Sequence, residues 1–317
     1  MKIVFFGTPD FAVSSLDALM QSSHQVLAVV TAPDKPSGRG LQTTSSAVKQ
    51  YALEKKLEVL QPEKLKDAAF HDRLKALGAD LFIVVAFRML PELVWNLPKH
   101  GTYNLHASLL PKYRGAAPIN WALINGDSET GITTFKLQHA IDTGDVLLQE
   151  AVPLDQTITA GDLYEILKIK GAVLLTRTVD MIEAYANKEI ALPFIKQSTA
   201  ATSHAPKLNK ETGRIQWASR ASAIHNLVRG LSPAPGAWTL LKQGDQQQQI
   251  KIYKTAVISD QASKGTGSIT SDGKSQLVIG CGETSLAILE LQAEGRKRMA
   301  TEEFLRGFKI LPEAYFE

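Results

Sequence analysis

The chain has 317 residues, 44% apolar and 21% charged, the make-up of an ordinary soluble globular protein long enough for two domains. Its one cysteine, Cys281, excludes an internal disulfide and a thiolate metal cluster, and reads as a small buried apolar side chain. The net charge of +3 is too small to name a nucleic-acid partner. It is unevenly spread, however: residues 207–317 carry 15 basic and 11 acidic side chains against 20 and 21 in residues 1–206, which leaves room for a phosphate-bearing partner in the C-terminal third.

The opening apolar run breaks at Gly7 and Thr8-Pro9-Asp10, too soon for a signal peptide or a membrane span, and a cytoplasmic location is expected. Lys2–Phe6, Gln25–Thr31 and Leu81–Ala86 are short, rich in Val, Ile and Phe, and end in turn residues. They are predicted as buried strands, with helices over Phe11–Met20, Ala47–Lys56 and Lys64–Leu77 between them. Tyr103–His106, Ile132–Lys136 and Val146–Val152 are further strands, and Ala160–Asn187 is a long helix. This alternation predicts a doubly wound, Rossmann-like α/β domain over residues 1–189. A linker over 190–206 follows, marked by Pro193, Pro206 and the polar run Gln197–Ser203. Residues 207–317 then read as a helix, Ser219–Leu231, and the strands Ala237–Leu241, Gln249–Ile258, Gly267–Ile269, Gln276–Cys281 and Ser285–Gln292. Their spacing suits a small, OB-like β-barrel, closed by a helix over Thr301–Phe308. Gln246–Gln249 is expected as a hairpin loop.

Chemistry concentrates in the segment from Asn104 to Asn120, where a strand ends in polar groups, the place at which α/β sheets carry their sites. Asn104 and His106 are two residues apart, so on a strand they share a face. An Asn amide and a protonated His donate hydrogen bonds to an oxygen that gains negative charge, and the His can also move a proton. Such a His needs a partner that sets its tautomer. Asp142, in the glycine-containing loop Asp142-Thr143-Gly144-Asp145, is the best candidate, although Asp-Thr-Gly-Asp is also good turn chemistry. The first loop, Gly7-Thr8-Pro9-Asp10, lacks the Gly-x-Gly-x-x-Gly turn of a dinucleotide-dependent oxidoreductase.

Asn104-x-His106 followed by Ser108-Leu109-Leu110-Pro111, with Asp142 in a glycine loop beyond, resembles the pattern of the folate-dependent formyltransferases. The resemblance implies that Asn104, His106 and Asp142 are the catalytic set and that Ser108, Leu109, Leu110 and Pro111 border a folate site. Phe87, Met89 and Leu90 are expected to join them. The formyl donor would be 10-formyltetrahydrofolate, with no metal. Phe6–Ala12, Asp34–Gly40, Arg114–Ile119 and the Asp142 loop are similar to the versions found in members acting on methionyl-tRNA, so the expected acceptor is the methionine amine on initiator tRNA. By the same resemblance the Asp34–Ser46 loop would enter the acceptor stem, with Lys35 and above all Arg39 as contacts. Residues 207–317 would help hold the tRNA through Lys207, Lys210, Arg214, Arg296, Lys297 and Arg298.

Two segments depart from the family. Leu41-Gln42-Thr43-Thr44 is less basic than a tRNA-inserting loop would be, and Ala86-Phe87-Arg88-Met89-Leu90 stands where a Tyr-Gly pair is common. Arg88 would form a salt bridge or reach the glutamate tail of folate, the salt bridge being preferred. A monomer is expected, with no membrane contact. The alternatives are a formyltransferase acting on an amino-sugar nucleotide and a non-catalytic RNA-binding protein.

Overall fold

The computed structural model describes residues 1–37, 42–258 and 265–317. They form two compact units, one of residues 1–118, 130–153 and 164–205, the other of residues 119–129, 154–163 and 206–317.

The first unit is built on seven strands, β1 (Lys2–Gly7), β2 (Gln25–Val30), β3 (Glu58–Leu60), β4 (Leu81–Val85), β5 (Thr102–His106), β6 (Glu129–Lys136) and β7 (Val146–Pro153). Their order in the sheet is β7-β6-β5-β4-β1-β2-β3. Strands β5, β4, β1, β2 and β3 run parallel, and β6 lies antiparallel to β5. Central strands of such a sheet are covered on both faces, which is why β4 is apolar throughout and every one of its residues is buried. Helices α1 (Asp10–Met20), α2 (Ala47–Glu54) and α3 (Ala68–Leu77) alternate with the strands.

Helix α3 starts four residues later than the sequence pattern suggests, because the Asp67 carboxylate accepts the Phe70 N–H at 3.1 Å and caps the helix there. Strand β3 was not expected. Three half-buried residues at a sheet edge are too few to show a period. Beyond the long helix α5 (Ala160–Asn187), Ile195 bridges Val146, and His204–Ala205 pairs in parallel with Arg114–Gly115.

The second unit is an antiparallel sheet of β8 (Ala237–Gln243), β9 (Gln246–Ile258), β10 (Ile269–Ser271), β11 (Leu277–Gly280), β12 (Ser285–Ala293) and β13 (Tyr315–Phe316), in the order β10-β11-β12-β9-β8-β13. Ser268 bridges Tyr315, so the two ends of the sheet meet in a nearly closed barrel. A Cβ on Gly267 would fall 2.1 Å from the Phe316 carbonyl oxygen, so only glycine permits that approach. Gln246–Gln249 belongs to β9 rather than to a loop. Gly244, at φ +57°, lets Gly244-Asp245 reverse the chain, and Gln243 pairs directly with Gln246.

Trp217, Leu231, Ile250, Ile279, Leu291 and Phe316 fill the barrel core beside α6 (Ala221–Gly230) and α7 (Thr301–Gly307). The earlier segments join this unit through hydrogen bonds. Asn120 and Trp121, on α4 (Pro118–Ile124), donate to the Gly230 and Pro206 carbonyls, each at 2.8 Å. Arg229 donates to the Asp155 carbonyl, also at 2.8 Å. Among the described residues no helix is long and apolar enough to cross a membrane.

Candidate active site

Strand β5 ends at His106, on the carboxyl edge of the parallel strands. Tyr103 and Leu105 are buried, while Asn104 and His106 project to the opposite face. Asn104 is half-buried, and its amide makes no hydrogen bond among the described residues.

His106 is 6% exposed. Its Nε2 lies 2.9 Å from the Tyr113 carbonyl oxygen. A carbonyl only accepts, so Nε2 carries the proton. The other nitrogen, Nδ1, faces the Asp142 carboxylate at 3.8 Å, longer than a hydrogen bond and an ion pair only when the imidazole is protonated. The tautomer is therefore set by a main-chain carbonyl and not by Asp142, as the sequence had suggested. Tyr113 reaches this position because its backbone turns at φ +61°, a feature with no sequence signature.

The Asp142 carboxylate accepts the Gly115 N–H at 2.8 Å. Its own backbone is left-handed, at φ +53°, a region that Asp tolerates better than most residues. Two residues on, a Cβ at Gly144 would lie 1.7 Å from the Lys136 carbonyl oxygen. Glycine there lets the loop lie against β6.

The loop after β5 is tied down from inside. Ser108 is fully buried, and its hydroxyl donates to the Lys112 carbonyl at 2.6 Å. Thr133 donates to the Ser108 carbonyl at 2.6 Å, and Gln149 to the Leu110 carbonyl at 2.9 Å. Leu110 packs on Phe135 and Val146, while Leu109 and Pro111 are half-buried. In the loop after β4, Leu90 is buried with Phe6, Phe82 and Val94, and Phe87 meets Phe6 edge-on at 5.7 Å. Met89 is 67% exposed.

Among the described residues Arg88 does not form the preferred salt bridge. Its guanidinium donates to the Glu63 carbonyl at 2.8 Å and to the Pro62 carbonyl. Burial lowers its pKa. The loop holding Asp142 approaches the same region, since His139 meets Trp95 edge-on at 5.5 Å and Glu92 at 3.3 Å. Ile141 there is 61% exposed. Met89 and Ile141 thus leave bare apolar side chains on the loops after β4 and β6.

Lys35 is exposed, in a strand Lys35–Ser37 that pairs with Gln42–Thr44. Arg39 lies outside the described residues. The neighbouring Asp34 accepts from Lys49 at 2.5 Å and from Gln61 at 2.9 Å, and the Lys49 ammonium in particular holds its carboxyl below the usual range.

In the second unit, Lys210 and Arg214 both lie over the Trp238 ring, at 5.2 and 5.7 Å from its centroid. Arg214 also pairs with Glu317 at 3.0 Å. Arg298 pairs with both Glu290 oxygens and lies 4.5 Å from the Tyr253 ring centroid. Lys297 is 3.8 Å from Glu303, whereas Lys207 and Arg296 are exposed.

Residues 1–179 match the family model of the formyl transferases, and residues 207–309 match the model of the formyl transferase C-terminal domain. The chain belongs to the formyl transferase family. Among its relatives are the methionyl-tRNA formyltransferase of Bacteroides thetaiotaomicron, 48% identical over 98% of this chain and 96% of that protein, and that of Flavobacterium johnsoniae, 44% identical over 99% and 98%. Of the solved structures, WlaRD, a sugar 3N-formyl transferase crystallised with dTDP and 5-N-formyl-THF, superposes with a TM-score of 0.67. It is 19% identical and covers 94% of this chain and 99% of its own, a likeness of fold alone. An amide with no hydrogen bond among the described residues, on the same strand face as an imidazole that meets a carboxylate, offers an N–H to an oxygen gaining negative charge and a group able to carry a proton.

Proposed function

We propose that this formyl transferase moves the formyl group of 10-formyltetrahydrofolate to the α-amine of methionine on initiator tRNA, acting in the cytoplasm as a monomer. The reading is supported by the methionyl-tRNA formyltransferases that match nearly the whole chain. The observation that carries its chemistry is the half-buried Asn104 amide without a hydrogen bond among the described residues, on the same strand face as the His106–Asp142 pair.

The amine nitrogen bonds to the formyl carbon while the carbon's oxygen gains negative charge, which Asn104 meets with an N–H. His106 takes the amine's proton at Nδ1, since Nε2 is held by Tyr113, and the Asp142 carboxylate stabilises the resulting imidazolium. The bond from the formyl carbon to the folate nitrogen then breaks, and His106 returns the proton to that nitrogen. No net proton is consumed, and the amine attacks directly, without a covalent enzyme intermediate.

Met89, Ile141, Leu109 and Pro111 are suited to the apolar rings of the donor. Lys35, Arg39, Lys207, Lys210, Arg214, Arg296, Lys297 and Arg298 are the candidate contacts to tRNA phosphates.

The test is to incubate the protein with 10-formyltetrahydrofolate and methionylated initiator tRNA, with methionylated elongator tRNA as control, and to measure formyl-methionine after deacylation. Formylation of the initiator alone is expected. Product on neither tRNA would transfer the reading to an amino-sugar nucleotide acceptor.

A further inference from the structure

Gln197 lies in the stretch that follows α5 and reaches back to the Asp142 loop. Its Nε2 donates to the Asp142 carbonyl at 2.9 Å and to the Gly144 carbonyl at 2.7 Å. Its Oε1 accepts from Arg114 Nε at 3.1 Å and Nη2 at 2.7 Å. One amide therefore uses both its donors and its acceptor to join two loops. These loops also meet at the carboxylate itself, where Gly115 N–H donates to Asp142.

The rest of the segment follows the same course. Ile195 and Val146 exchange two backbone hydrogen bonds at 2.8 Å. The Ser203 hydroxyl accepts the Tyr113 N–H at 2.9 Å, and the Ser203 carbonyl accepts the Arg114 N–H at 3.0 Å. Tyr113 is the residue whose carbonyl holds His106. Asp142 itself sits at φ +53°, a conformation that costs energy even where Asp tolerates it and is held by the surrounding contacts. The two bonds from Gln197 grip the carbonyls on either side of Thr143 and supply that constraint.

We propose that Gln197 is a positioning residue for formyl transfer, holding the Asp142 turn so that its carboxylate faces His106 Nδ1. This rests on the catalytic part given above to Asp142 and His106. Gln197 bonds to the Asp142 and Gly144 carbonyls and to Arg114, so as a positioning residue its effect should fall on turnover and pass through Asp142.

The experiment measures kcat and KM for both substrates, with thermal melts, for the wild-type protein and for Gln197→Ala, Gln197→Glu, Asp142→Ala and the double variant Asp142→Ala/Gln197→Ala. Gln197→Ala is expected to lower kcat about tenfold or more while both KM values stay within about twofold. Gln197→Glu keeps an acceptor for Arg114 but loses both donors to the loop. It should lose as much turnover with its melting temperature preserved, and it carries the same test if Gln197→Ala does not fold. In the Asp142→Ala background the second substitution should change kcat by less than about twofold.

Wild-type turnover in Gln197→Glu, a loss confined to KM, or multiplying losses in the double variant would each overturn the proposal while leaving the functional reading intact. Absence of formylated product from the wild-type protein overturns that reading, and with it the part assigned to Gln197.

Discussion

Asn104 and His106 lie on one strand face because side chains alternate along a strand, and that much follows from a spacing of two. The partner of His106 does not follow from spacing. Nε2 bonds to a carbonyl seven residues on, in a backbone turn that no side-chain pattern marks. Replacing Asn104 by Ala removes the amide offered to the formyl oxygen and should lower kcat about 100-fold or more with little change in KM, as the loss of one oxyanion donor commonly does. Asp142→Ala should also act on kcat, and steady-state kinetics on both substrates would check each. Cys281 is the opposite case, legible from its type alone. It is 1% exposed, and burial pushes its thiol from 9.0 up to about 11. The thiolate is the reactive form, so at pH 8 an aromatic disulfide reagent should label the native protein negligibly and the urea-unfolded protein fully.

Elements were readable where length and period agree. The long helix α5 has the ends read from the sequence, and α1 and β4 come within one residue of theirs. Errors fall where a local hydrogen bond decides. Lys64–Asp67 has helix-forming composition, yet the Asp67 cap holds the start of α3 at Ala68. Asp67→Ala should cost about 1 kcal/mol, the usual worth of such a cap, measurable as a lowered urea midpoint. The Gln246–Gln249 run is polar because much of it faces water, and it still pairs along its whole length with β8. The Asp142 loop depends on an absent side chain. Gly144→Ala forces a methyl against the Lys136 carbonyl and is expected to cost about 2 kcal/mol of stability. It should also lower turnover, because Asp142 moves with the loop. Calorimetry and an activity assay on the same preparation would test both.

At the scale of the whole chain, the excess of basic residues in 207–317 is a statement about partners and not about fold. If those residues meet tRNA phosphates, KM for the tRNA should rise steeply with added salt, and Lys207→Ala/Arg296→Ala should flatten that dependence. Arg298 should matter less, being paired with Glu290 and laid on Tyr253. A salt-independent KM, or an unchanged slope in the double variant, would remove these side chains from the interface.

The sequence by itself determined the alternation of strands and helices, the change of texture beyond residue 206, and the Asn-x-His spacing, because each is set by local period and composition. The tertiary structure alone decided which strand became the edge, which early segments joined the barrel unit, and how Asp142 faces His106 through Gly115, Tyr113 and Gln197. Those outcomes rest on main-chain carbonyls and N–H groups brought together from distant positions. Every residue carries such groups, so nothing in its side-chain type announces which of them will be used.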